Sequence, residues 1–190
     1  IESSVESGND GHGVTVGIVD AFASRTVFKD AREYSARNDP THVLRASQFS
    51  QMIPPGIFKV SKSDPCDPRG WYGEETLDVE AVHAMAPGAN VVYVGASDCG
   101  SGLDNAWAET IDSHVADIIT NSWSNNTDDI NLLGAATIAF YNQFSIEAAL
   151  TGITVNFSSG DSGDNTSGGT DLAGKTVGFP SDQPYVTGVG

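Results

Sequence analysis

A chain of 190 residues, 39% hydrophobic and with 21 glycines, has the apolar content for a packed core and many tight turns, which excludes a disordered polymer. Its formal net charge of −16 and pI near 4.2 would repel nucleic acid and anionic membrane surfaces, and they suit work in acid. No apolar run is long enough to form a membrane-spanning helix, and the start at Ile1 without a signal-like stretch suggests a processed or trimmed N-terminus.

In chain order, "GVTVGIVD" (13–20) is an apolar run ending in an acid, which predicts a buried parallel strand. "RTVFKDAREYSARND" is rich in helix formers and stops before Pro40. The Pro- and Gly-rich stretch 52–73 reads as loop. A helix opens within "GEETLDVEAVHAMAPGAN" (73–90), and "NVVYVGA" (90–96) is a second buried strand. Next come a helix in "GLDNAWAETIDSHV", a strand in "ADIITNSW" and one long helix in "NLLGAATIAFYNQFSIEAAL". "GITVNFSSG" is a fourth strand, and "YVTGVG" begins a fifth.

Strand and helix alternate without internal repeats, so the expected class is α/β: a doubly wound, mostly parallel sheet with helices on both faces. The last strand-like run breaks off at Gly190, so the domain is expected to be incomplete in this chain. Ligands of such sheets bind at the carboxyl ends of the strands. Three features arrive there: Asp20, the Ser122-Trp123-Ser124 stretch, and the loop "SSGDSGDN" (158–165).

Glu74 and Asp78 stand at i and i+4, which puts their Cβ atoms about 5–6 Å apart on one helix face. Two carboxylates that close share a proton in acid and can serve as general base and then general acid. Acids in a first helical turn also simply complement the helix dipole, and that alternative stays open. Glu75 and Glu80 point elsewhere and are expected to serve the helix and its solubility. His83 follows Glu74 by nine residues, about 180° around the helix, so it faces away from the pair. His12, His42 and His114 have no ligand spacing, and no metal is expected to be held within this chain.

The 158–165 loop carries Asp161 and Asp164 without a Lys or Arg, which disfavours a phosphate cradle. Asp161 could donate a hydrogen bond to a developing oxyanion while protonated, or be an ordinary turn aspartate. Cys66 and Cys99, an even count in a Lys-poor acidic chain, favour one disulfide and an exported protein over two free thiols. Asn125 and Asn165 fit the glycosylation pattern; Asn156 fits too but falls on a strand expected to be buried.

"GVTVGIVDAF", "AMAPGANVVYVGA", "ADIITNSWS" and "GITVNFSSGD" occur in the order and approximate spacing of the subtilisin-like fold. Subtilases open the helix with a His-Gly-Thr-His-type sequence and end the later strand in Gly-Asn. Here the helix opens with "EETLDVE" and the strand ends in Gly-Asp. With those two replacements, and "FPSDQPYVTGVG" resembling a run-up to the nucleophile segment, the chain resembles the sedolisins, the serine-carboxyl peptidases that work in acid.

The resemblance implies that residues 1–190 are the N-terminal portion of a single peptidase catalytic domain. Glu74 would be the base that activates a serine, Asp78 its proton-sharing partner and Asp161 the oxyanion donor. Ser122, Trp123, Ser124, Ser159 and Gly160 would line the cleft, with an extended peptide pairing there as an added strand. The family's Gly-Thr-Ser-type nucleophile segment and its calcium site lie beyond this chain. Ser158, Ser159 and Ser162 sit in no G-x-S-x-G turn and are not nucleophile candidates. The resemblance therefore implies a second piece carrying the serine, a peptide or protein substrate, and secretion or another acidic extracytoplasmic compartment. Endopeptidase and tripeptidyl-peptidase action stay equally open. The competing expectations are a non-catalytic binding relative and, less favoured on geometry, a conventional subtilase using Asp20 and His83.

Overall fold

The computed structural model describes residues 2–58, 64–125, 127–164 and 174–190. The chain forms two compact units, Ile1–Asp117 and Ile118–Gly190.

The first unit contains α1 (Glu2–Glu6), β1 (Thr15–Ala21), α2 (Val27–Asn38), a 3-10 turn (Ala46–Gln48), β2 (Phe49–Met52), α3 (Pro68–Met85), β3 (Asn90–Ala96) and α4 (Ser101–Asp112). Its three strands are parallel in the order β2-β3-β1. β1 is buried from Val16 to Ala21 and β3 from Val91 to Ala96, as continuous apolar runs covered on both faces require. Side-chain alternation divides the two faces. Ile18, Val91 and Tyr93 pack with Val27 and Ala31 of α2 and Val79 of α3. Val92 and Val94 point the other way, where α4 packs on β3 and β1. Each fully buried large apolar side chain contributes roughly 1.5–3 kcal/mol, so this cluster fixes where α3 lies on the sheet.

The second unit contains β4 (Ile118–Asn121), α5 (Ile130–Leu133), α6 (Ala135–Thr151), β5 (Thr154–Ser158) and β6 (Val186–Val189). Its strands are parallel in the order β4-β5-β6. The core is aromatic: Tyr141 of α6 meets Phe157 of β5 edge-on at 6.3 Å and Phe179 at 5.1 Å. The Asn121 side chain donates to Asn156 O at 2.9 Å, a further tie between β4 and β5.

The α/β class and the parallel strands agree with the expectation from sequence. Three local expectations are corrected. α3 begins at Pro68, inside the stretch expected to be loop, with proline in the first turn where its missing N–H costs nothing. β2 was not anticipated, because "FSQM" is short and half polar. The expected single helix over 131–150 is broken at Gly134, whose φ of 80° lies outside the helical region. Cys66 and Cys99 form a disulfide, as expected, joining the approach to α3 with the exit from β3.

Candidate active site

Parallel strands deliver the C-terminal end of β1 beside that of β3, with Asp20 in register with Gly95. The chain then turns sharply: Phe22 adopts a left-handed φ of 66°. Three hydrogen bonds hold this turn. Phe22 N donates to Ala96 O at 2.8 Å, Tyr93 Oη donates to Phe22 O at 2.9 Å, and Ser24 N donates to Glu75 Oε2 at 2.6 Å. Gly95 makes room for it, since a Cβ there would collide with Phe22 O.

Asp20 is completely buried, and neither carboxyl oxygen has a hydrogen-bond partner among the described residues. Burial holds its proton affinity well above the ordinary carboxyl value, and the carboxylates of Asp78, Glu74 and Glu75 add to this in that order. Asp20 therefore holds its proton at the buried end of a group of four acids.

α3 presents those acids on two adjacent stripes. Glu75, Val79 and His83 recur at i, i+4 and i+8 and are all buried. Glu74 and Asp78, one step of about 100° away, are half-buried on the neighbouring stripe. Glu75 is thus not the solubilising surface acid expected from sequence: it is completely buried and, without a partner for Oε1 among the described residues, its carboxyl is pushed up to about 8, chiefly by burial. The signal that could have found it is its place on the Val79 stripe. Glu80 is half-buried, and burial and then Asp30 of α2 raise its proton affinity.

His83 is 4% exposed, and its Nε2 lies 2.7 Å from His42 O. Burial depresses its proton affinity, so it is a packed histidine at the α2–α3 contact rather than a neighbour of Glu74.

The remaining candidates lie in the second unit, at the ends of β4 and β5. Trp123 meets Phe157 edge-on at 4.9 Å and Tyr141 at 6.5 Å, so its ring is anchored in the aromatic core. Ser122 and Ser124 flank it, half-buried, and Gly178 is a glycine where a Cβ would run into Ser124 Oγ. Ser159 N donates to Val189 O at 2.8 Å, and Ser159 O accepts from Gly178 N at 2.8 Å. Gly160 has a φ of 114°, and Asp161 beyond it is exposed. Asn125 is exposed, at a bridge to Phe179, while Asn165 lies outside the described residues.

Among the described residues no group of three or more His, Cys, Asp or Glu side chains is arranged to hold a metal ion. The calcium implied by the resemblance therefore finds no set of ligands in the described part of this chain. Among the described residues no helix is long and apolar enough to cross a membrane.

The fold is shared with solved structures. Over 97% of this chain and 50% of the other it matches a Pseudomonas sedolisin, described as a serine-carboxyl proteinase complexed with two molecules of pseudo-iodotyrostatin, at a TM-score of 0.74 and 23% identity. The PatG macrocyclase domain matches over the whole chain and 61% of its own length, at a TM-score of 0.54 and 15% identity. In sequence, the chain is 36% identical over 142 residues to kumamolisin of Bacillus sp. (strain MN-32), an alignment covering 74% of this chain and 25% of that protein. No family model matches. The chain belongs to the sedolisin family of serine-carboxyl peptidases and corresponds to an N-terminal portion. It spans about half of the matched sedolisin chain and about a quarter of kumamolisin.

Proposed function

We propose that this chain supplies the general base and the oxyanion donor of a peptidase that cleaves peptide bonds in acid by a Ser-Glu-Asp mechanism. The observation that carries the reading is that Glu74 and Asp78, half-buried on one stripe of α3, both raise the proton affinity of the buried Asp20 at the carboxyl end of β1. An acid cluster at that place shares protons, and a shared proton is what base-then-acid catalysis uses.

In this reading Glu74 takes the hydroxyl proton of a serine as its oxygen bonds to the scissile carbonyl carbon. Asp78 orients Glu74 and shares its proton. As the carbonyl becomes an oxyanion, Asp161 in its protonated form donates a hydrogen bond to it. Glu74 then returns the proton to the leaving amine, and a second round with water releases the acyl group. Ser122, Trp123, Ser124, Ser159 and Gly160 line the cleft and pair with an extended peptide. The nucleophilic serine belongs to sequence outside residues 1–190, either in continuous sequence or on a second polypeptide. Family membership supports secretion into an acidic compartment and a calcium ion held outside this chain. No step above passes through that ion.

The test is hydrolysis of peptide libraries by the full-length protein from pH 3 to pH 8. The reading expects cleavage confined to the acid side, and the product lengths then separate endopeptidase from tripeptidyl-peptidase action. Absence of cleavage at every pH would favour a non-catalytic binding relative, and activity rising towards pH 8 would contradict a protonated oxyanion donor.

A further inference from the structure

Glu75 is placed differently from every other acid of α3. Its side chain is completely buried beneath the turn that follows β1, and Oε2 accepts the Ser24 amide at 2.6 Å. Ser24 is also a local organiser: its Oγ accepts from Thr26 N at 3.1 Å, immediately before α2 begins at Val27. Glu75 thus joins α3 to the β1–α2 turn, and Ser24 joins that turn to the start of α2. That turn follows directly on the end of β1, which carries Asp20.

Where Glu75 sits, burial disfavours its charged form more than the Ser24 amide favours it. Oε1 has no hydrogen-bond partner among the described residues. The groups that sense it are Asp20 from β1 and Tyr93 from β3, neither of which brings positive charge. On its own helix it adjoins Glu74 and follows Tyr72, with Asp78 three residues on. Arg25, adjacent to Ser24, has its guanidinium 4.0 Å over the Phe58 ring. A neutral carboxyl avoids the cost of a buried charge, which the Ser24 amide does not offset; an ionised one would have to draw in water or leave.

We propose that Glu75 is a positioning residue whose neutral carboxyl locks the Ser24 turn onto α3, thereby holding Asp20, Glu74 and Asp78 in their working arrangement, and that loss of its proton releases the lock. The lock sets an upper pH limit on the arrangement that is separate from any limit set by the oxyanion donor. Its role in activity rests on the peptidase reading, whereas its role in holding the turn does not.

The experiment uses the full-length protein, with Glu75→Gln as the mimic of the neutral carboxyl and Glu75→Ala as its deletion. Two readouts are taken from pH 4 to pH 9: hydrogen-exchange protection of the Ser24 amide, corrected for intrinsic rate, and peptide hydrolysis. Wild-type protection should fall by up to about tenfold per pH unit as pH rises from the ordinary Glu value towards the folded value of about 8, and level off above it. Glu75→Gln should keep its protection throughout and retain hydrolysis to a higher pH than wild type. Glu75→Ala should lose protection at every pH, with kcat reduced by roughly tenfold or more at pH 4 and KM little changed. Should Glu75→Ala fail to fold, the comparison of Glu75→Gln with wild type decides alone. The proposal is overturned if wild type and Glu75→Gln show the same pH dependence of Ser24 protection, or if a folded Glu75→Ala keeps that protection. A protein with no hydrolysis at any pH but the expected exchange pattern would overturn the peptidase reading while leaving the lock standing.

Discussion

Asp78 on α3 acts electrostatically on the buried carboxyl of Asp20 at the end of β1, and after burial itself it is the largest influence keeping the proton on Asp20. The relationship makes folding proton-linked. The proton affinity of Asp20 is higher folded than unfolded, so its contribution is fully present below the ordinary Asp value and is lost as pH rises through the folded value. Asp20→Asn keeps the neutral shape and removes the linkage. Urea unfolding at pH 4 and pH 7 should find the variant gaining on wild type as pH rises. A constant difference between the two at both pH values would contradict a buried neutral Asp20.

The β1 turn should be intolerant of any side chain at Gly95. A Cβ there would strike the backbone oxygen of Phe22, which the Tyr93 hydroxyl holds in place, and backbone cannot rotate aside. Gly95→Ala should cost about 1–3 kcal/mol, the range for overpacking a closed site. Thermal unfolding checks this, and a melting temperature equal to wild type would show that the turn has more freedom than its hydrogen bonds suggest.

Asp161 is expected to matter to the chemistry and not to the fold, since it is exposed on a loop in the second unit. Asp161→Ala should lower kcat by about 10²–10³, equivalent to roughly 3–4 kcal/mol of barrier, with the melting temperature unchanged. Asp161→Asn keeps a hydrogen-bond donor of the same size, so it should retain more activity than Asp161→Ala. Steady-state kinetics across pH reads both outcomes.

The Cys66–Cys99 bond closes a loop with a sequence separation of 33 residues that contains the whole of α3. In the chain-entropy account a loop of that length contributes about 3–4 kcal/mol. A Cys66→Ser and Cys99→Ser double variant should therefore unfold at markedly lower denaturant. The placement of α3 links this to function: loosening its N-terminal approach should also weaken hydrolysis before global unfolding, a loss that hydrolysis at low denaturant would detect.

The long elements were legible because their periodicity is strong. The apolar runs of β1 and β3 and the amphipathic pattern of α2 leave little choice of structure, and the i, i+4 spacing of Glu74 and Asp78 placed both on one face directly. β2 escaped because "FSQM" carries no pattern of its own and is recruited by pairing with β3, a non-local effect. The start of α3 escaped because Pro68 and Gly70 look like loop residues, although proline is well suited to a first helical turn. Glu75 was misread for an instructive reason. Residue type argued for the surface, while its spacing from Val79 and His83 argued for the core, and the spacing was the better guide. Asp20 could be placed at a strand end from sequence, but its neutrality depends first on burial and then on three neighbouring acids, which only the folded chain supplies.

The most direct measurement is the rate of peptide hydrolysis in acid by the full-length protein carrying Glu74→Gln. Glutamine keeps the size and polarity of the side chain but cannot accept the serine proton, so kcat should fall by about 10²–10⁴ while the melting temperature stays within a few degrees of wild type. Full activity of a folded Glu74→Gln protein at acid pH would contradict the account, because the base would then have to be some other group.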